Sequence, residues 1–454
     1  MTSGRLKALL LAGWLLWGAA ALPVPAQEPP RRLNLKEALR LAAKANPALQ
    51  LSRLEELIAD QEVVRARSGF LPQVKSEVSQ TIFDNPTKMK VTSTAIPGAP
   101  PVVFPMTDRN FWSTKVAVEQ LLFDFWATPS RYQAAVLGKE ATRLDSLQTR
   151  DNIFLGVCQG YFKVLRAEKM VNVARQEVVQ LKEHLRVARD LYDHGVATYN
   201  DVLQAEVASA DAAQRLITAN NDVINLKSAM NKVLGLPIAH HLSLEEEKVQ
   251  ADLPGRLEEA TDAARRRRSD LKSAVSRIQQ GEKAVTQARA RHFPLFYFQG
   301  GHTYQQNAFT LHDHQYFAIF GMRWSLFTGL DTRAQVRQAQ ERLNQLKVRH
   351  RDLDEQVRLD VQTAHLAVQE TGERIRVTEK AVTQAEENLR LNEERYKEQV
   401  GTATEVIDAQ TLLTKTRVNY FNALYDHQMA KAQMLWALGA IHSLAPADNR
   451  SNAP

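Results

Sequence analysis

Few residues in this 454-residue sequence are placed to do covalent chemistry. It contains no P-loop and no GxGxxG, GxSxG or HExxH pattern, which leaves nucleotide, acyl-transfer and zinc-hydrolase chemistry without a scaffold. The lone cysteine, Cys158, excludes an internal disulfide and any CxxC site; among Ile153, Phe154, Leu155 and Val157 it reads as a small buried side chain. His302, His312 and His314 lack the helical or carboxylate spacing that holds a metal and read as solvated loop residues. No catalytic residue, metal or cofactor is therefore expected. The remaining chemistry is electrostatic and sits at two short turns. One runs from Tyr192 through Gly195 to Asp201, the other from Tyr396 through Gly401 to Glu405. Gly195 and Gly401 suit the left-handed conformation that closes a helix. Asp201, Thr404 or Glu405 then open the next helix with a side-chain oxygen or a negative charge. Glu405 and Asp408 are three positions apart, which keeps both carboxylates on one helix face.

These turns join very long helices. Segments 125–191 and 330–395 have no proline after Pro129 and few glycines. In the first, Leu144, Leu147, Phe154, Val157, Tyr161, Val164, Leu165 and Val173 recur at threes and fours, the spacing of a helix-packing seam. Some 60 helical residues reach roughly 100 Å at 1.5 Å each, so these are rods that must pack on other rods. A further helix is expected over about 36–69, ending before Pro72. Alternation then marks strands near 71–84, 111–123, 293–303 and 315–327. Val74, Ser76 and Val78 share one face against Lys75, Glu77 and Ser79. Trp112, Thr114, Val116 and Val118 stand against Ser113, Lys115 and Glu119, and Tyr316, Ala318, Phe320 and Met322 against Gly321 and Arg323. Runs of about ten residues, apolar on one face with aromatics near the ends, match a membrane β-barrel; a soluble sheet with one buried face has the same period. Four strands are too few to close a barrel, so a barrel requires several chains. Residues 83–110 and 303–314 read as loops.

The chain also reads as built twice. A shift of 222 lays 35–72 on 257–294, matching Leu35 with Leu257, Ala38 with Ala260 and Pro72 with Pro294. A shift of 204 lays 192–235 on 396–439, matching Tyr192 with Tyr396 and Leu234-Gly235 with Leu438-Gly439. The organisation expected is a signal peptide at 1–26, a first unit at 27–235, a connector at 236–256, a second unit at 257–439 and a C-terminal segment at 440–454.

The start of the chain points to export. Arg5 and Lys7 precede an apolar run to Leu22, and Val24-Pro25-Ala26 supplies the small residues of a cleavage site. No later stretch is long and apolar enough for a membrane helix. The net charge of +7 drops by two when Arg5 and Lys7 leave, and acids and bases are interleaved as on solvated helices. The basic run Arg265–Arg268 is accordingly read as an exposed helix surface, with no nucleic-acid partner.

Several phrases together carry a family resemblance: A-R-S-G-F-L-P-Q-V at 66–74, its echo A-R-A-R-H-F-P at 288–294, G-x-x-x-x-x-D-V-L-x-A at 195–205, and V-G-T-A-T-E-V-I-D-A-Q at 400–410. With the signal segment, the doubled units and the rods, the whole mature chain resembles the TolC family of outer-membrane efflux proteins. The resemblance implies an α+β membrane protein: a homotrimer whose four strands per chain close a 12-stranded barrel in outer-membrane lipid. The long helices continue it as a hollow cylinder across the periplasm, with the connectors as an equatorial belt. It implies a passive exit duct of a tripartite efflux or type I secretion system, working with a periplasmic adaptor and an inner-membrane RND, ABC or MFS transporter. It also implies that Glu405 and Asp408 form two inward anionic rings at the periplasmic gate, that Tyr396 bonds to Asp201 to lock it, and that the turns at Gly195 and Gly401 contact the adaptor. Gly401 stands where the family's prototype has an arginine, so part of that lock is missing. As helix-start residues, Asp201 and Glu405 have a second, purely structural reading, and Tyr396 one as a packing aromatic. A periplasmic adaptor would carry one helical hairpin in a Gly-rich β-domain instead of two with paired strands, and an elongated coiled-coil envelope protein would leave the alternating strands unexplained.

Overall fold

The computed structural model describes residues 32–92, 96, 98 and 100–445; the expected signal segment and the end of the C-terminal tail lie outside them. Helices α1 (Leu35–Ala45) and α2 (Pro47–Arg67) lead to strand β1 (Gln73–Ile82). A short hairpin, β2 (Lys88–Val91) and β3 (Val102–Pro105), precedes β4 (Asn110–Phe123), α3 (Ala127–Asp193) and α4 (Tyr199–Leu234). After a connector come α5 (Leu257–Arg267), α6 (Ser269–Ala290), β5 (Leu295–Gln305), β6 (His314–Arg323), α7 (Asp331–Lys397) and α8 (Ala403–Ala437). The rods α3 and α7 are each 67 residues long, about 100 Å. Among the described residues no helix is long and apolar enough to cross a membrane.

One antiparallel sheet has the order β1-β4-β5-β6. Its register pairs Val74 with Val118, Ser76 with Val116, Val118 with Gly300 and Gly300 with Ala318, so the apolar positions of all four strands share one face. On that face Phe320 is 78% and Tyr316 86% exposed. The other face pairs Lys75 with Glu119 at 2.8 Å and sets Lys115 over the Phe317 ring and Arg323 over Tyr297. β6 ends at Arg323, short of the expected 327; just beyond it the Trp324 indole donates to the His292 carbonyl at 3.1 Å. The stretch 83–110, expected as a loop, contains the β2–β3 hairpin, with Met89 opposite Phe104 and Val91 opposite Val102.

The core lies where the shorter helices meet the rods. Leu39, Val157, Cys158, Tyr161 and Phe162 pack with Leu234, Leu242 from the connector and Ile441 after α8. Every member of the expected α3 seam is buried except Leu147, which is half-buried. Burial pushes the Cys158 thiol up to about 12, leaving it an inert small hydrophobe. The connector is held by a bridge between Leu33 and Leu244 and by the Tyr161 hydroxyl, which donates to the Glu245 carbonyl.

Two expectations are corrected here. The single helix over 36–69 is two, because Pro47 lacks an N–H and Asn46 turns extended (ψ 126°); Asn46 then caps α2 by accepting from the Ala48 N–H at 2.8 Å. Nor is the basic run 265–268 wholly a solvated surface: Arg266 and Arg267 are exposed, but the two arginines flanking them are paired. Arg265 pairs with Asp354, and Arg268, 3% exposed, reaches Asp270 at 2.6 Å and Asp360 at 2.8 Å beneath the Trp436 ring. Arg268 occupies the bend between α5 and α6, with φ −58° and ψ 126°, the backbone shape of Asn46 between α1 and α2. Each bend is met by a left-handed glycine that ends a helical hairpin. A Cβ on Gly235 would collide with the Ala45 carbonyl, and one on Gly439 would come within 3.0 Å of the Arg268 nitrogen.

Removing the buried Arg268 leaves two half-buried carboxylates without their shared cation. Arg268→Met is therefore expected to destabilise the folded protein by about 3–5 kcal/mol, whereas Arg266→Met at the exposed neighbour should change little. Thermal melts of the two purified variants in detergent check this; equal melting temperatures would refute the buried-bridge assignment.

Candidate functional site

The two turns lie at the far ends of the rods from the sheet. Each closes its rod with the same hydrogen-bond pattern: the Val196 N–H reaches the Leu191 carbonyl at 2.9 Å, and the Val400 N–H reaches Arg395 at 2.9 Å. The left-handed residue is Gly195 in the first turn (φ 74°) but Gln399 in the second (φ 64°). Gly401, expected to be left-handed, is not. Its small size serves a close approach instead, since a Cβ would sit 3.1 Å from Glu405 Oε2 and 3.2 Å from Arg395 Cβ.

Both following helices open with the same reciprocal cap. The Thr198 hydroxyl accepts from the Asp201 N–H, and the Asp201 carboxylate accepts from the Thr198 N–H at 2.9 Å and its hydroxyl at 2.8 Å. Thr402 and Glu405 repeat this, with the Thr402 N–H 3.1 Å from Glu405 Oε2. Asp201 and Glu405 thus hold the helix starts, the structural reading open in the sequence. Glu405 and Asp408 are both exposed on α8, one turn apart. Arg395 in the last turn of α7 lies 4.0 Å from Glu405 and donates to the Val400 carbonyl at 3.3 Å. Sequence reasoning missed this cation, because only the turn's geometry brings it back over Gly401.

Tyr396 belongs to a small apolar tip core with Leu389, Ala403, Val406, Ala409 and Leu413, against Val187 and Leu191 of α3. It is 6% exposed, and its hydroxyl, though buried, makes no hydrogen bond, to Asp201 or to any other group. Burial first, and the Asp201 charge second, push its ionisation above the ordinary tyrosine range, so it stays neutral. Its neighbour across the tip is His184 of α3, with ring centroids 5.2 Å apart. His184 is 8% exposed and its Nε2 has no partner. Burial pulls its pKa below the ordinary histidine value, and Asp201 opposes that only in part. The sequence reading did not single out His184; its position in the tip seam of α3 is the one signal that could have.

At the opposite end, the ring nitrogens of His302 and His314 approach to 3.1 Å across β5 and β6, beside Tyr304 and Tyr316. Among the described residues no three His, Cys, Asp or Glu side chains converge as a metal site.

The family model described as outer membrane efflux protein matches residues 38–236 and 260–440, leaving out the connector. The outer membrane efflux protein BepC of Brucella suis is 25% identical over 448 residues, 95% of this chain and 89% of that one. The outer membrane protein TolC of Vibrio cholerae is 22% identical over 425 residues, 90% and 91% of the two chains. Among solved structures, the Campylobacter jejuni CmeC outer membrane channel superposes with a TM-score of 0.77 at 15% identity, covering 90% of this chain and 86% of that one. The CusC structure gives 0.75 at 18% identity, covering 92% and 97%. Since the family model spans both sets of rods, strands and tip turns, the chain belongs to the outer membrane efflux protein family.

Proposed function

We propose that this chain is one subunit of a trimeric outer-membrane channel, a passive duct through which substrates leave the cell. The observation that carries the reading is the sheet. It presents one exposed face without charge and one face that holds the charged residues, together with Phe317 and Ile319, and within the chain β1 and β6 each keep an unpaired edge. Unpaired backbone groups are not tolerated in hydrocarbon, so β6 of one copy pairs with β1 of the next until the sheet closes. Three copies make a 12-stranded barrel, apolar outside and polar within. The rods support the same assembly. Leu203, Val207, Ile217 and Ile224 on α4, and Leu359, Leu366 and Val377 on α7, are exposed apolar side chains that neighbouring copies would cover.

The chain is a duplicated unit in this reading. α3 and α4 precede α7 and α8 by 204 residues at their starts, and α1 and α2 precede α5 and α6 by 222. The two bends, the two caps and the two glycine-terminated hairpins recur at those offsets. Residues 27–235 and 257–439 are then the two units, and 236–256 with the segment after 439 forms the belt. Relatives carrying the names outer membrane efflux protein and alkaline protease secretion protein suit a duct served by an inner-membrane transporter, RND, ABC or MFS, through a periplasmic adaptor. The adaptor meets the tip turns at Gly195 and Gly401.

At those tips Glu405 and Asp408 line the narrowest point, six carboxylates in three copies. Tyr396, with Asp201 beside the first turn, helps hold the helices together.

Two measurements check this reading. Val118→Arg and Ala318→Arg place a charge on the lipid face and should each cost roughly 2–4 kcal/mol of barrel stability, while Ser113→Arg on the polar face should be mild. Trimer yield on unboiled gels reads the difference, and equal yields would show the strand phase to be wrong. Single-channel current should be cation-selective and blocked by multivalent cations from the periplasmic side. Glu405→Gln with Asp408→Asn should weaken both at least about twofold with the trimer intact, since Gln at the third helix position preserves the cap. Unchanged selectivity would leave these carboxylates as helix-start residues alone.

A further inference from the structure

Three polar atoms with no partner meet at the tip. Gln180 Oε1, His184 Nε2 and the Tyr396 hydroxyl are each buried and unbonded, and all three residues line one cavity of about 310 Å³ between α3, α7 and α8. Such atoms are uncommon in a packed protein, and three in one place mark a stretch of the seam closed by shape and apolar contact, while the Thr404 hydroxyl donates to Gln204 and Arg417 to Gln176, each at 3.0 Å, elsewhere along it. Val187 of α3 and Val406 of α8 supply that contact.

We propose that His184 is the proton sensor of the periplasmic gate: protonating it drives α3 away from α7 and opens the tip. The inference rests on the gate reading given above and adds a regulating residue to it. The groups facing the imidazole are few. From α3 the cavity receives Glu183; from α7, Glu393, Tyr396 and Lys397; from α8, the uncharged Val406. Asp201 of α4 is the anion close enough to act on both rings, and its carboxylate is already engaged by Thr198. A new imidazolium would therefore sit against a tyrosine ring and valines, where its hydration is lost.

The direction follows from linkage. Closed packing holds the His184 pKa below its ordinary value, because burial outweighs the attraction of Asp201. An open tip that hydrates the ring restores the ordinary value of about 6.5. The open state then binds the proton more tightly. Closure is fully favoured above about pH 6.5 and is lost as pH falls towards the closed-state value. Three copies in a trimer titrate together, which steepens the response.

The test uses the full-length trimer in planar bilayers, with periplasmic-side pH set at 7.5 and then 5.5. The wild-type acid-to-neutral conductance ratio is expected to be at least about two, and His184→Gln is expected to bring it to about one. Glu183, Glu393, Glu405 and Asp408 remain in that variant, so a rise due to them would persist. A wild-type ratio of one, or a His184→Gln ratio equal to wild type, overturns the proposal. Should His184→Gln not assemble, hydrogen exchange on the wild-type trimer decides, corrected for intrinsic rates. Faster exchange in 180–191 and 389–400 at pH 5.5 supports acid release, and unchanged exchange overturns it. Glu405→Gln with Asp408→Asn, run in parallel, separates this failure from that of the gate reading. If it alters selectivity while His184→Gln leaves the acid response intact, only the sensor is wrong. If neither variant changes any current, the gate does not lie at this tip.

Discussion

A strand edge carries N–H and C=O groups that must find partners, and β1 and β6 each bear such an edge within this chain. That requirement orders the rest of the molecule. A sheet that is to close on copies of itself needs one face free of charge, and the register meets this on all four strands, gathering Lys75, Glu77, Lys115, Glu119 and Arg323 on the other face, where Phe317 and Ile319 of β6 also lie. It also needs its helices to leave from one end. Phe125-Trp126 and Gly329-Leu330 provide that exit, each pair left-handed, turning the chain out of β4 and after β6 into the two rods. For Trp126 and Leu330 this conformation costs about 1–2 kcal/mol each. The packing of the 67-residue helices that follow offsets the strain.

The rods in turn need lateral support, which the short helices provide at two bends of identical shape. Asn46 satisfies its bend with an amide that donates to the Val233 carbonyl at 2.7 Å. Arg268 satisfies the equivalent bend with two aspartates and an indole ring. Position, backbone angles and the glycine opposite are shared, while the side-chain chemistry is not. Backbone geometry is evidently the constrained quantity, and either a neutral or a fully paired charged group can meet it.

At the tips the balance is reversed. The turns are built from local hydrogen bonds and reciprocal caps that each hairpin makes for itself. Between the hairpins, the apolar contact of Tyr396, Val406 and Leu413 with Val187 and Leu191, and a hydrogen bond from the Thr404 hydroxyl to Gln204 at 3.0 Å, join the tips beside polar atoms without partners. Strong local closure with weak lateral closure suits helices that separate without unravelling. The acidic residues of the turns combine both demands, capping a helix while charging its exposed end.

The sequence by itself determined the rods, the four long strands and the turns between rods, though not the break at Asn46 or the β2–β3 hairpin. Rods, strand alternation and turn positions all rest on periods of two or three to four and on proline and glycine, which act within a few residues. Ends at 193 and 397 fell within two residues of those read from the turns. What only the tertiary structure decided was the environment of particular side chains. Arg268 reads as one of four exposed bases until Asp360, 92 residues away, and Trp436 close over it. Gly401 reads as the left-handed closure until Arg395 and Glu405 crowd it and Gln399 takes that role. His184 carries no motif at all, and becomes a candidate only when α7 brings Tyr396 against it. Periodicity specifies which face of an element is buried, but which residue arrives there depends on how turns fold and rods pack, and that contact sets charge state, exposure and the polar atoms left without partners.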